Sequence, residues 1–244
     1  MHHNASEGYA RSADAYTTGR PSYPESLVPL ILDGLDPETA VVLDVGAGPG
    51  TLSARLAGNG PKIVAVEPVH AMAAKVPSPI PAVRATAEQL PFRAATADTI
   101  VVGTAFHWFA GRTALAELHR VLKAGARLRL VWNAPDRNSA FVRAHDDLVA
   151  PYIGDTPRYA DMNWRRELEK GADLFRPADE QRIANPTAMT RDQFVARVLS
   201  TSFVAALDQT EKDTVRQRAA ELARTVPEVF EYPYSCHLVR LESI

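Results

Sequence analysis

The sequence predicts an α/β fold, a doubly wound and mostly parallel sheet with helices on both faces. Short apolar β-rich runs alternate with helical stretches through the first half of the chain, which is the pattern of βαβ units. The runs IVAV and TIVV are apolar but for Thr99, as the cores of strands buried on both faces must be. In VVLDVGAGPGT the chain passes from β-formers straight into three closely spaced glycines. Right-handed crossovers would bring that loop to the carboxyl ends of the strands, the edge where such sheets hold ligands.

Each element follows in order. Residues 6–23 are polar and aromatic without a period and end in GRPSYP, so residues 1–24 are expected to form an irregular arm. Over 25–35 the spacing of Leu27, Val28, Leu30, Ile31 and Leu32 predicts a helix, with Pro24 at its start and Gly34 and Pro37 past its end. AVVLDV is the first strand, TLSARLAG a helix, KIVAVEP the second strand and HAMAAKV a short helix. PAVRATA is the third strand and DTIVVGTAF the fourth. RTALAELHRVLKAG has apolar residues at 115, 118, 121 and 122, a helical spacing with Gly125 as its stop, and ARLRLVWN is the fifth strand.

After Asn133, helices are expected over 138–149, 191–200 and 211–224, and YPYSCHLVRLES alternates as a closing strand. Residues 152–174, with Tyr152, Tyr159, Met162 and Trp164, are too aromatic for a plain surface loop. They read as an insertion over the ligand edge or as a helix pair packed on the core. No repeat or low-complexity linker divides the chain, so 1–244 is expected to be one domain. Its parts are the arm over 1–24, a core over 40–133, a helical lid or insertion over 134–174, and a part over 175–244 that completes the sheet.

Composition narrows the class. A chain of 244 residues, 46% hydrophobic, is long enough to bury a substantial core. A net charge of -2 without any block of like charges leaves no broad basic surface for nucleic acid. Cys236 is the one cysteine, so no internal disulfide or cysteine metal cluster is expected, and a reducing, cytoplasmic compartment fits best. No apolar run reaches membrane-spanning length, and the start MHHNASEGYARSAD lacks the hydrophobic segment of a secretory signal. His2 and His3 read as terminus rather than as metal ligands, and no metal site is expected.

A strand, a glycine loop and a helix together offer backbone N–H groups and the positive end of a helix dipole to a ligand. A dinucleotide, a phosphate and an amino-acid carboxylate are the chemical possibilities, beside a plain tight turn. A phosphate loop needs Lys then Ser or Thr after its last glycine, and Thr51 and Leu52 stand there instead. The dinucleotide fingerprint wants a sixth-position glycine where Thr51 stands, and Asp44 would repel a pyrophosphate. Glu67 ends the next strand about twenty residues past Gly46, where an acid can accept from two ribose hydroxyls.

LDVGAGPG, AVEP, ATAEQLPF, VVGTAFHWF and HRVLKAGARLRLVWN, in this order and spacing, resemble successive motifs of class I S-adenosylmethionine-dependent methyltransferases. The nearest likeness is to the small-molecule subgroup of trans-aconitate methyltransferase-like, type 11 proteins. It covers most of 40–133. AYTTGRPSYP and MTRDQFVARVLSTSFVAAL resemble that subgroup more loosely. The resemblance implies a Rossmann-like, seven-stranded sheet with an antiparallel C-terminal strand, and S-adenosyl-L-methionine as cofactor. It also implies methyl transfer to an O, N or C nucleophile of a small-molecule acceptor by a monomer or homodimer, with neither nucleic acid nor membrane as partner. A non-catalytic S-adenosylmethionine-binding protein is the alternative, and an NAD(P)-dependent oxidoreductase a weaker one.

By the same resemblance Gly46, Ala47, Gly48 and Gly50 hold the methionyl part of the cofactor, and Asp44 orders the loop near its amino-acid end. Glu67, followed by Pro68, matches the ribose-binding acid, Ala87 and Glu88 flank adenine, and Thr104 and Ala105 line the methionine portion. Tyr16 and Arg20 resemble arm residues folded over the cofactor, with Tyr23 at the substrate pocket.

For the acceptor, in-line displacement needs positioning and water exclusion, and positioning alone can lower a barrier by about 7–11 kcal/mol. Phe106 and Trp108 are expected to offer ring faces to a sulfonium and, with Trp132, to line the acceptor pocket. His107 is the candidate to accept a proton or to position the acceptor. The competing reading makes Phe106 and Trp108 core residues and leaves His107 a backbone hydrogen bond.

Overall fold

The central strands form where the sequence is β-branched and apolar on both faces. In a computed structural model describing residues 21–109, 111–155, 158–161 and 163–244, β1 (Val41–Val45), β2 (Lys62–Val66) and β4 (Ala97–Gly103) pair in parallel around β1. With β3 (Ala82–Val83), β5 (Leu122–Pro135), β6 (Phe175–Ala184) and β9 (Tyr234–Ser243) they make a seven-stranded sheet of order β3-β2-β1-β4-β5-β9-β6. β9 runs antiparallel to both of its neighbours. The mixed α/β fold, with its antiparallel C-terminal strand, is therefore the one expected. Tyr16 and Arg20 lie outside the described residues.

Alternation along each strand supplies two apolar faces. Leu43 and Val45 join Ile100, Val102, Leu128 and Leu130 in a buried cluster under α4 (Arg112–Val121), which contributes Leu115 and Leu118. Val42, Ile63, Val101 and Val131 face the other way, against Leu27 and Ile31 of α1 (Leu27–Leu32) and Leu52 and Leu56 of α2 (Thr51–Leu56). The short α3 (His70–Ala73) follows β2.

Three expectations change. The helix expected to run to Gly125 stops at Val121, because the carbonyls of Arg120 and Val121 accept from the N–H groups of Ala95 and Thr96. Leu122 then enters the sheet opposite Ala97. The third strand contracts to two residues at an exposed edge. It is held by the Ala65 N–H on Pro81 O (2.9 Å) and the Glu67 N–H on Val83 O (3.0 Å). The fourth strand ends at Gly103, where Thr104 at φ +54° turns the chain into a single 3-10 turn, Phe106–Trp108.

The later helices are α5 (Ala140–Val149), α6 (Asn163–Glu169), α7 (Arg191–Leu199), α8 (Ser202–Ala205) and α9 (Gln209–Ala223). Of residues 152–174, Tyr159, Trp164, Leu168 and Leu174 pack on the sheet core, so α6 is a packed element of the sheet layer. α5, α7, α8 and α9 instead share a separate cluster around Phe194, Val198, Val215 and Tyr232. A two-stranded ribbon of β7 (Thr187–Thr190) and β8 (Val229–Tyr232) ties this cap together. Capping boxes start α7, at Thr190 and Gln193, and α9, at Asp208 and Glu211. No helix among the described residues is long and apolar enough to cross a membrane.

Candidate active site

Strand order reverses between β1 and β4, so the loops after them diverge and leave a gap above the sheet. The loop after β1 needs glycine for two different reasons. A Cβ on Gly46 would stand 2.7 Å from the Ala105 Cβ, whereas one on Gly48 would meet nothing within 4 Å; both have positive φ. Gly46 lets β1 and β4 approach, and Gly48 faces open space. A Cβ on Gly50 would press on Val76 and Pro77, and Gly50 does not line the cleft.

The loop's amides are not presented to a ligand as its glycines suggest. The N–H groups of Gly46 and Ala47 donate to Val66 O (2.8 and 3.1 Å), that of Gly48 to Glu67 Oε2 (2.9 Å), and that of Gly50 to Ala47 O (3.0 Å). Glu67 thus latches the loop through one oxygen, while Oε1 accepts from the Val69 N–H (2.9 Å). Burial raises its carboxyl above the usual range against these two bonds. Asp44 is fully buried in β1; its Oδ2 accepts from Ser53 Oγ (2.6 Å), and its Oδ1 has no hydrogen-bond partner. Burial pushes the Asp44 carboxyl up to about 6, with Ser53 opposing and Glu67 adding to the rise. Asp44 therefore anchors α2, and Glu67 orders the loop.

Around this loop lies a cleft of about 870 Å³. Asp44, Gly46, Ala47, Gly48, Glu67 and Pro68 line one side, and Ala87, Glu88, Thr104 and Ala105 line another. Leu52 and Met72 also line it, apolar residues that carry no sequence signal of a site, as do Ala85 and Thr86 of the ATAEQLPF motif. Tyr23, expected at the acceptor pocket, lines this cleft instead, with its hydroxyl 3.0 Å from Thr104 Oγ1. Thr104 is a β-branched residue in the left-handed region, a conformation that costs about 1–3 kcal/mol. Its N–H on Val131 O (2.6 Å) and its bond to Tyr23 hold it there. Phe106 is corrected outright: it is fully buried, packs edge-on against Phe109 at 5.8 Å and does not line the cleft, because the 3-10 turn points it into the core.

A second cavity, of about 920 Å³, adjoins the first at Thr104 and Trp108, which line both. His107, Trp132 and Asn133 line it, so His107 lies on the side away from the glycine loop. Trp132 Nε1 donates to His107 Nδ1 (3.4 Å), which puts the proton of a neutral His107 ring on Nε2. The Trp132 ring packs against Trp164 (4.5 Å) and Tyr159 (5.1 Å). The Tyr159 hydroxyl meets His237 Nδ1 at 2.7 Å, and His237 Nε2 meets Glu180 Oε1 at 2.6 Å. The cap supplies the far wall, including His145, Arg197 and Ser202, none of which the sequence singled out for the site. Among the described residues no group of three or more His, Cys, Asp or Glu side chains is gathered for a metal ion.

Residues 43–130 match the family described as a methyltransferase domain. Over 219 residues the chain is 30% identical to an uncharacterized methyltransferase-like protein of Schizosaccharomyces pombe, covering 88% of this chain and 85% of that protein. Among solved structures it is similar to a protein of Anaeromyxobacter dehalogenans assigned as a type II methyltransferase. The TM-score is 0.63 at 22% identity, over 92% of this chain and 97% of that one. It is also similar to a geranyl diphosphate C-methyltransferase of Streptomyces coelicolor, solved with S-adenosyl-L-homocysteine, at a TM-score of 0.51 and 14% identity over 90% of this chain and 78% of that one. The chain belongs to the class I S-adenosylmethionine-dependent methyltransferases and is an enzyme of that type.

Proposed function

We propose that the enzyme moves a methyl group from S-adenosylmethionine, held in the cleft beside the glycine loop, to an O, N or C nucleophile of a small molecule in the second cavity. The observation that carries this reading is the meeting of the two cavities at Thr104 and Trp108.

The cleft's residues suit the cofactor. The unpaired, buried Asp44 Oδ1 is an acceptor in search of a donor, which the cofactor's amino group supplies. Gly48 leaves room for close approach, and each Glu67 oxygen keeps a lone pair for a ribose hydroxyl after its backbone bond. Ala87 and Glu88 would flank the adenine. When bound, S-adenosylmethionine supplies an electrophilic methyl group on a sulfonium.

The chain's own residues then have three tasks. Thr104 and Ala105 fix the floor beneath the junction, and Trp108 offers an aromatic face and excludes water. His107 lines the second cavity beside Trp108 and holds the acceptor there, a positioning role beside that of the base considered from sequence.

Calorimetric titration of the full chain with S-adenosylhomocysteine and, separately, NAD tests the reading. One site for S-adenosylhomocysteine and none for NAD is expected. Binding of NAD alone would overturn it.

A further inference from the structure

Arg197 sits on α7 with 6% of its surface exposed and lines the second cavity but not the donor cleft. Its Nε donates to the Tyr234 hydroxyl, and its guanidinium lies 5.7 Å from the Tyr232 ring centre and 5.5 Å from that of Tyr234. The rings offset part of the penalty for burying a cation, but neither is an anion. Among the described residues no carboxylate lies within ion-pair distance of it. Asp146, which faces it from α5, is committed to Arg137 at 2.7 Å. His145, the other titratable group on that side, is held neutral by burial, with its Nδ1 at 2.8 Å from the Tyr232 hydroxyl. Arg158, the cavity's remaining arginine, is paired with Asp161.

We infer that Arg197 is the binding site for a carboxylate group of the methyl acceptor, a reading that rests on the proposed use of the second cavity. One unpaired guanidinium matches one negative charge and offers the two-pronged geometry a carboxylate takes. Trp132 is fully buried against Tyr159 at 5.1 Å, and the half-buried Tyr159 ring gives the same cavity an aromatic surface. The acceptor is accordingly an aryl or conjugated acid. Arg197 does not line the donor cleft, so the carboxylate is the handle, and the methylated atom is a separate group directed at Thr104 and His107.

The test titrates the full chain, saturated with S-adenosylhomocysteine, with benzoate, cinnamate and 4-hydroxyphenylacetate and with their neutral amides. Each acid is expected to bind about ten- to a hundredfold more tightly than its amide, the span for a hydrogen bond to a charged group. Arg197→Met is expected to remove that margin and Arg197→Lys to keep part of it, with S-adenosylhomocysteine affinity unchanged in both. Equal binding of acids and amides by the native enzyme, or a margin that survives Arg197→Met, would overturn the inference. Should Arg197→Met lose S-adenosylhomocysteine binding as well, Arg197→Lys decides: a full margin there counts against it. Acid preference without any S-adenosylhomocysteine affinity would sink the methyl-transfer reading and leave the anion site standing.

Discussion

Asp44 carries a cost that its neighbours only partly offset. Its carboxyl ionises at about 6 in the folded chain against 3.8 for a free aspartate. The folded state therefore holds the proton more tightly, and the stabilisation this gives is complete below about pH 4 and lost as pH rises through 6. Asp44→Asn is expected to raise the thermal unfolding temperature at pH 8 and leave it unchanged near pH 4, read by calorimetry. S-adenosylhomocysteine affinity should move the opposite way, tightening in the native enzyme as Asp44 ionises and staying weak and flat in Asp44→Asn. Gly46 and Gly48 separate packing from ligand space. Gly46→Ala must displace Ala105 and is expected to lower stability by several kcal/mol, whereas Gly48→Ala incurs only the left-handed penalty of about 1–2 kcal/mol. Denaturant melts measure both, and Gly48→Ala should still weaken S-adenosylhomocysteine binding. At this scale the placing of Asp44 and Glu67 beside the glycine loop was legible, but not the bonds by which Asp44 anchors α2 and Glu67 latches the loop, because those partners come from the fold. Phe106 and Trp108 were not separable, since one turn of 3-10 helix decides which ring points inward.

Among the elements, α7 matters most to the acceptor side because it carries Arg197. Thr190 caps it, accepting from the Gln193 N–H at 3.1 Å, and Thr190→Ala is expected to cost about 1 kcal/mol. Thermal unfolding checks this, and S-adenosylhomocysteine affinity should hold, because the cap and the glycine loop share no contact. The boxes TRDQ and DQTE stand openly in the sequence, and helices 140–149, 191–199 and 209–223 lie close to where periodicity puts them. β6 was invisible for a physical reason: FRPADEQRIA is a sheet edge, protected by proline and charge, so it lacks the apolar alternation that marks a strand. What aligns it is long-range, Arg165 and His237 on Glu180 and Arg240 on Asp179, and no local pattern announces such pairs.

At the scale of the molecule, the sheet and the cap have separate apolar clusters, and the second cavity lies where they meet. Ligands are therefore expected to protect different regions in hydrogen exchange. S-adenosylhomocysteine should slow the loops after β1, β2 and β4, while α7 and α9 respond only once an aryl acid is added. Uniform slowing would contradict the division. The parallel core was readable because each βαβ unit is local in sequence. The cap was not, because the chain leaves the sheet after β6, builds α7, α8 and α9, and returns with β9, and nothing in 187–232 states which helix will receive it.

The committed amides of the glycine loop bear on how this enzyme meets a crowded solution. A loop whose N–H groups are already spent on Val66, Glu67 and Ala47 has little left for a free oxyanion. Inorganic phosphate and nucleoside triphosphates, abundant rivals for any nest of open amides, should then be poor competitors for the donor site, and selectivity among nucleosides should come from the acids and the cleft walls.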